Sequence, residues 1–336
     1  MIDSLRQRMS TIGFGGSGIG NLYQPISDAA AHATVGAAIT NGIRYLDTAP
    51  HYGFGLSEKR LGNSLRELDP SNDVVLSTKV GRSLVPVSNV RADVLRQGFA
   101  SPEPFESAFD YSYDAVMRSI EESSSRLQRP VDILYVHDLG RRTHGEAHGE
   151  VMKQFLEDGY VAIRKARDEG VVRAIGLGAN EWEVCEEALA RADFDMVLLA
   201  GRYTLLEQTA LDSFMPLCRT RKVAVVVGAP FNSGILVRGV SDASATYDYG
   251  RVPASVLEKV AAIESVCRRH DVSMPAAALQ FPLAHPQVVS VIPGLSTPRE
   301  VAQAIAWQKM KIPTDFWDDL CEHGLLRSDA PVPGSL

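Results

Sequence analysis

The feature that most constrains this chain is a repeated alternation. Short apolar runs rich in β-branched residues fall at 11–14, 44–47, 74–79, 133–137, 174–178, 196–200, 223–227 and 289–292. A stretch of helical period follows each, at 28–41, 57–67, 114–127, 151–169, 181–192, 210–220, 255–270 and 298–308. Ser57, Asp114 and Ser255 stand where a side-chain oxygen can cap the first turn of its helix. A strand that must cross over through a helix before the next strand makes a parallel sheet. Eight such units close without leaving an edge, which predicts an α/β fold, a (β/α)8 TIM barrel, as a single domain over 1–336. The competing architecture is an open doubly wound sheet, whose first strand runs through a Gly-rich turn into a helix. Gly13, Gly15 and Gly18 do spell G-x-G-x-x-G, yet residues 21–26, with Pro25 among them, separate that turn from any helix. No acidic residue ends a second strand in the ribose-binding position either, and the barrel is the preferred reading.

Three segments are longer than a barrel loop needs, at 81–113, 138–150 and 228–253. All follow strands, which places them at the C-terminal mouth where barrels of this kind build their sites. The tail, 311–336, carries an amphipathic DFWDDLCEHGLL that suits a helix packed on the barrel, and whether it also covers the mouth is left open. A net charge of -7 argues against a nucleic-acid partner, because phosphate contacts need a Lys/Arg surplus. No run approaches the roughly 20 apolar residues that span a bilayer, and the first residues lack a signal-type apolar core. Cys185, Cys218, Cys267 and Cys321 have no ligand-like spacing and read as reduced thiols, so a cytoplasmic location is expected. His144 and His148 in HGEAH lack the H-E-x-x-H order and a third ligand, so no metal site is expected.

Polar residues stand where apolar strands stop: Asp47 after IRYL, Lys79 after VVLST, His137 after ILYV and Asn180 after AIGLGA, with Tyr52 five residues beyond Asp47. In a barrel these distant positions converge on one mouth. Oxidising an alcohol or hemiacetal needs a base for the O–H proton as hydride leaves the carbon. A tyrosine serves if its pKa falls from about 10, which a neighbouring ammonium favours. Lys79 is the evident source, with Asp47 keeping it charged and oriented and His137 donating to the substrate oxygen. Taken singly, a strand-end Lys is usually a snorkelling side chain, a His there a structural one, and an Asp-Thr pair a turn cap; the joint pattern carries the inference.

The segments DTAPHYGFGLSEKRLG, STKVG and ILYVHD resemble signature stretches of the aldo-keto reductases, and the likeness runs from GFGG to VIPG over nearly the whole chain. The resemblance implies an Asp–Tyr–Lys–His tetrad at Asp47, Tyr52, Lys79 and His137, with Tyr52 the general acid/base. Within the family, GNLY, LLAGRYTLLEQ, FNSGIL, ATYDY and PAAALQFPLAHP resemble the L-fucose and D-threo-aldose 1-dehydrogenase group, with L-galactose dehydrogenase and pyridoxal 4-dehydrogenase nearby. ATYDY reads equally well as a cover over the site or as an ordinary polar loop.

The resemblance also implies a nicotinamide cofactor across the barrel mouth, with its adenosine end at VIPGLSTPREVAQA. NADPH-dependent relatives carry a Lys after the Ile-Pro and an Arg six residues later; here Gly294 and Glu300 take those places, with Ser296 between them. A carboxylate repels a 2′-phosphate and accepts from a 2′-hydroxyl, which favours NAD over NADP, although Arg299 is adjacent. Asp47 and Asn180 are further cofactor candidates, Asn180 for the carboxamide, and Ser233, Gly234 and Leu236 for the pyrophosphate. Gly228 replaces the family's ring-stacking aromatic, which leaves Phe231 or Tyr203 to pack on the ring. The expected activity is NAD-dependent oxidation of a cyclic hemiacetal, such as C1 of an aldose or the pyridoxal hemiacetal, to a lactone. The alternatives are an NADPH-dependent aldehyde reductase and a non-enzymatic channel subunit, against which the complete tetrad counts. The expected partner is a small-molecule substrate, sugar or pyridoxal-like, without nucleic acid or membrane.

Overall fold

The protein is described by a computed structural model covering residues 2–88, 91 and 94–334. Its strands are β1 (Phe14–Gly15), β2 (Tyr45–Asp47), β3 (Val75–Val80), β4 (Arg82–Pro86), β5 (Phe105–Phe109), β6 (Ile133–His137), β7 (Ala174–Ala179), β8 (Met196–Ala200), β9 (Ala224–Gly228) and β10 (Val288–Ile292). Among the described residues the main sheet has eight strands in the order β1-β2-β3-β6-β7-β8-β9-β10, every neighbouring pair parallel. Single parallel bridges join Ile12 to Val291 and Gly15 to Gly294, with Gly13 N donating to Val291 O and Gly15 N to Pro293 O, each at 2.9 Å. The sheet therefore closes on itself as expected. The first strand is shorter than its apolar run and meets its neighbour through these bridges, at a close approach where a Cβ on Gly13 would stand 2.5 Å from Ile292 Cγ2.

Alternation along the strands sorts two cores. Tyr45, Val75, Ile133, Tyr135, Met196, Leu198, Val226 and Ile292 fill the barrel interior, joined by Leu5 and Met9. Leu5 lies in a helix, Ile2–Arg8, that the apolar pattern does not announce, and Met9 directly follows it. Arg8 Nη2 donates to Asn72 O at 3.0 Å and Arg6 Nη2 to Lys222 O at 3.0 Å, which seats this helix under the N-terminal ends of β3 and β9. The opposite strand faces meet the outer helices in a second, larger core.

The helices follow the expected order with local departures. Ser57 is not a cap: Gly55, at φ 98, precedes the helix Leu56–Leu68, and Ser57 is buried inside it, its hydroxyl donating to Gly16 O at 2.8 Å. Ser112 takes the place expected of Asp114, accepting from Ala115 N, an interaction worth about 1 kcal/mol. Pro253, not Ser255, precedes Ala254–Arg269. The expected helix 151–169 is interrupted by a π turn at Phe155–Gly159. The apolar PAAALQFPLA folds as the short helix Met274–Gln280 and a 3-10 turn, Phe281–Ala284, outside the eight-unit count.

The long loop after β3 holds the antiparallel hairpin β4–β5. The tail forms the helix Thr314–Glu322, which buries Phe316, Trp317 and Leu320. Asp319 pairs there with Arg269 and His270, each at 2.8 Å, so this helix lies against the barrel's outer helices, away from the mouth.

Candidate active site

Two-residue periodicity aims the site. Asp47, Lys79 and His137 each stand two positions beyond an inward residue (Tyr45, Ser77 and Tyr135), so all three side chains point inward at the C-terminal ends of β2, β3 and β6. Lys79 Nζ donates to Asp47 Oδ2 at 2.6 Å and to Thr48 O at 2.8 Å, and both side chains are 2% exposed. Ser77 donates to the other carboxylate oxygen at 2.7 Å. Tyr52 arrives on the turn after β2, where a Cβ on Gly20 would lie 2.8 Å from the Tyr52 carbonyl carbon. Only glycine lets those two loops touch. The Tyr52 ring centroid is 4.8 Å from Lys79 Nζ and 6.0 Å from the His137 ring, edge to face. The four residues drawn from three strand ends thus line one cavity of about 470 Å³.

The electrostatics differ from the expectation at one point. Burial first, and then the Asp47 and Asp138 carboxylates, push the Tyr52 phenol well above its ordinary value, with Arg82 pulling it back. Lys79 directs two donors at Asp47 and the Thr48 carbonyl. An ammonium carries three donors, so one N–H remains for the Tyr52 oxygen when a phenolate forms. Burial, Arg82 and Lys79 hold His137 far below the usual imidazole range, so it stands neutral. His51 is lowered to about 3 by burial and the same two cations.

Among the lining residues that the strand-end pattern does not single out, three carry charged or imidazole side chains, His51, Arg82 and Asp138, and Tyr249 of the ATYDY segment also lines the cavity. Asp138 and Arg82 are the first charged groups after ILYVH and STKVG, and their adjacency to the tetrad was the available signal.

The cavity suits a flat ring beside the tetrad. The ends of β7, β8 and β9 present Gly178, Ala200 and Gly228 to it. A Cβ on Gly178 would lie 3.6 Å from Lys79 Cε and one on Gly228 3.1 Å from Leu198 Cδ2, so larger residues would fill this wall. Asn180 also lines the cavity; its Nδ2 donates to Asp138 Oδ1 at 3.3 Å, leaving its amide oxygen free. Gly294 lies at the rim. Ser296 N and Thr297 N both donate to Glu300 Oε2, at 2.6 and 3.2 Å, in a capping box that starts the last barrel helix and leaves Oε1 open. The candidates after β9 are placed differently. Tyr203 is wholly buried against Phe281 and His285, and Phe231 packs edge to face on Trp307, so neither lines the cavity. Gly234 N and Leu236 N both donate to Phe231 O, at 2.9 and 3.3 Å, and Leu236 is buried in the core. The turn they cap is closed by its own backbone, so of this segment Ser233 keeps an open amide; its hydroxyl accepts from Tyr249 N at 3.0 Å.

A closed parallel barrel with a Tyr–Lys–Asp–His cluster and a smooth ring-sized wall at its mouth is the frame of a nicotinamide-dependent oxidoreductase acting on CH–OH groups. Residues 11–324 match the Aldo/keto reductase family, and the chain belongs to it. It is 39% identical over 332 residues to pyridoxal 4-dehydrogenase of Microbacterium luteolum, covering 95% of each chain. It is 39% identical over 318 residues to D-threo-aldose 1-dehydrogenase of a Pseudomonas species, covering 94% of each. L-galactose dehydrogenase of Arabidopsis thaliana is 30% identical over 307 residues, with 89% of this chain and 84% of the relative covered. The holo form of an aldo-keto reductase from Bacillus halodurans superposes with a TM-score of 0.72 at 23% identity, over 97% of this chain and 95% of that one, which supports the fold.

Proposed function

We propose that the chain oxidises a cyclic hemiacetal to a lactone with NAD, acting on C1 of an aldose such as L-fucose, D-arabinose or L-galactose. The observation that carries this reading is the single cavity holding Asp47, Tyr52, Lys79 and His137 beside the small-residue wall. Tyr52 takes the anomeric O–H proton. Lys79, anchored on Asp47, offers its remaining N–H to the phenolate oxygen, and neutral His137 donates to the substrate oxygen and fixes its place. When bound, the dinucleotide supplies the acceptor for the hydride that leaves the carbon. Asn180, Ser233, Gly294, Ser296 and Glu300 are the residues that would hold it, Glu300 through the open Oε1 toward a ribose hydroxyl. The free cysteines fit a cytoplasmic enzyme, and among the described residues no helix is long and apolar enough to cross a membrane.

A second reading uses the same groups on the pyridoxal hemiacetal, which the M. luteolum relative supports. An NADPH-dependent aldehyde reductase is the third, favoured only by the exposed Arg299 beside Glu300. A panel of L-fucose, D-arabinose, L-galactose and pyridoxal with NAD and with NADP, followed by the absorbance of the reduced cofactor, separates them. The proposal expects NAD-dependent turnover of at least one aldose. Turnover of none of the four removes it, and a strong kinetic preference for NADPH with aldehydes establishes the reductase.

A further inference from the structure

Beside the tetrad stands an ion pair that the proton transfer does not use. Arg82, at the start of β4, meets the Asp138 carboxylate through Nη2, their side chains 14% and 8% exposed, and both line the cavity. Stability does not account for a pair in this position, since desolvating two charges generally costs as much as their attraction returns. Its construction is unusually well supported. Asp138 adopts a left-handed backbone, φ 50, which a non-glycine residue seldom takes. Its N–H donates to Gly178 O at 2.8 Å. Its carbonyl lies 3.1 Å from the Tyr111 hydroxyl and 3.0 Å from His144 Nε2, and that hydroxyl also donates to His137 O at 2.7 Å. His148 Nδ1 lies 3.3 Å from the next carbonyl, Leu139 O, while its Nε2 meets Glu187 at 2.7 Å. The two histidines of HGEAH thus buttress the carbonyls of the two residues after His137. Backbone strain that surroundings over-determine in this way gathers at functional positions.

The carboxylate they aim has capacity left. Oδ2 faces Arg82 and, at 3.5 Å, His137 Nε2, while among the described residues Oδ1 has only the Asn180 amide at 3.3 Å. A carboxylate oxygen takes two donors. The cations of the cavity are already matched, Lys79 by Asp47 and Arg82 by Asp138. Among the described lining residues none offers an unmatched ammonium or guanidinium to a phosphate or carboxylate.

We propose that Asp138, held by Arg82, is a specificity-determining residue that accepts a hydrogen bond from a hydroxyl next to the reacting carbon, so that the substrate is an uncharged, hydroxylated molecule. This rests on the hemiacetal reading above. The test compares the wild type with Asp138→Asn on the aldose it oxidises and on that aldose's 2-deoxy counterpart, at saturating NAD. Asparagine has the same shape and tolerates the left-handed backbone, and equal melting temperatures check the fold. The wild type prefers the hydroxylated sugar by about 100-fold in kcat/KM, as one hydrogen bond to a charged acceptor provides. In the variant, whatever factor both sugars share through Tyr52 and His137, the preference falls to within about threefold of unity, and inorganic phosphate becomes inhibitory as Arg82 is freed. Equal wild-type turnover of both sugars overturns the proposal whether or not the variant folds, and so does a variant that loses both alike. A second arm reduces glyceraldehyde and propanal with NADH and NADPH. A glyceraldehyde preference that Asp138→Asn erases, with no hemiacetal oxidised, upholds Asp138 and overturns the dehydrogenase reading. No preference in either arm overturns Asp138.

Discussion

Lys79 and Asp47 are buried to the same degree and tied at 2.6 Å, so neither tolerates the loss of the other. Lys79→Met leaves a buried carboxylate with only the Ser77 hydroxyl as donor. Its removal is expected to lower stability by about 3–5 kcal/mol and to abolish most turnover, readable by denaturant unfolding and by kcat. Proton transfer sets the pH dependence. In the proposed mechanism oxidation needs Tyr52 deprotonated, and burial and two carboxylates raise its pKa above 10.0. The oxidative rate therefore climbs from neutral pH into the alkaline range without levelling below that value. His137 is held well below its usual 6.5 and is already neutral there, so no inflection appears near that value. A kcat/KM profile with an inflection near 6.5 contradicts this assignment. The grouping of the tetrad was legible in the sequence because three members end apolar runs and the family's motifs name all four, Tyr52 included. Asp138 and Arg82 were not, because a charged residue beginning a loop is ordinary until the loop's path is known.

The elements that aim these side chains carry their own tests. The π turn at Phe155–Gly159 lets the barrel helix pass Tyr111, since a Cβ on Gly159 would stand 2.5 Å from Tyr111 O. Gly159→Ala is expected to cost about 1–3 kcal/mol and to lower turnover through Tyr111, His137 and Asp138, while dinucleotide affinity is unchanged; melting and binding titrations check both. The segment carrying ATYDY is latched by Asp248, which takes two bonds from Arg202 Nη2 at 2.8 Å and one contact from Arg142 at 3.1 Å. Asp248→Ala is expected to speed amide exchange across 242–250 and leave exchange of the barrel strands as it was. Seven of the eight barrel strands were read to within a residue because buried β-branched runs have few alternatives, whereas the first, expected at 11–14, is Phe14–Gly15. The π turn, the β4–β5 hairpin and the caps were not, since each depends on which distant backbone the segment meets. Ser57 illustrates it: an ideal cap residue by type, it is drawn into the helix because its hydroxyl bonds Gly16 and Thr48.

At the scale of the molecule, eight alternating units sufficed to specify the closed barrel, while the helix beneath it escaped notice because seven residues carry too little periodicity. Leu5 is 1% exposed in the inner core. Leu5→Ala is expected to destabilise the whole barrel by about 2–5 kcal/mol without altering KM, a separation seen by comparing melting with kinetics at moderate temperature. The cofactor region was legible only in outline. Gly294 and Glu300 were read from family positions, whereas Tyr203 and Phe231 were chosen as aromatics near a strand end, and the fold spends both on packing. The account as a whole depends on the Tyr52 hydroxyl being the proton acceptor in the mouth cavity. Its most direct test is Tyr52→Phe, assayed for oxidative turnover and, by fluorescence titration, for dinucleotide binding. The account predicts turnover lower by about 10²–10⁴ with binding unchanged; turnover at the wild-type rate would contradict it.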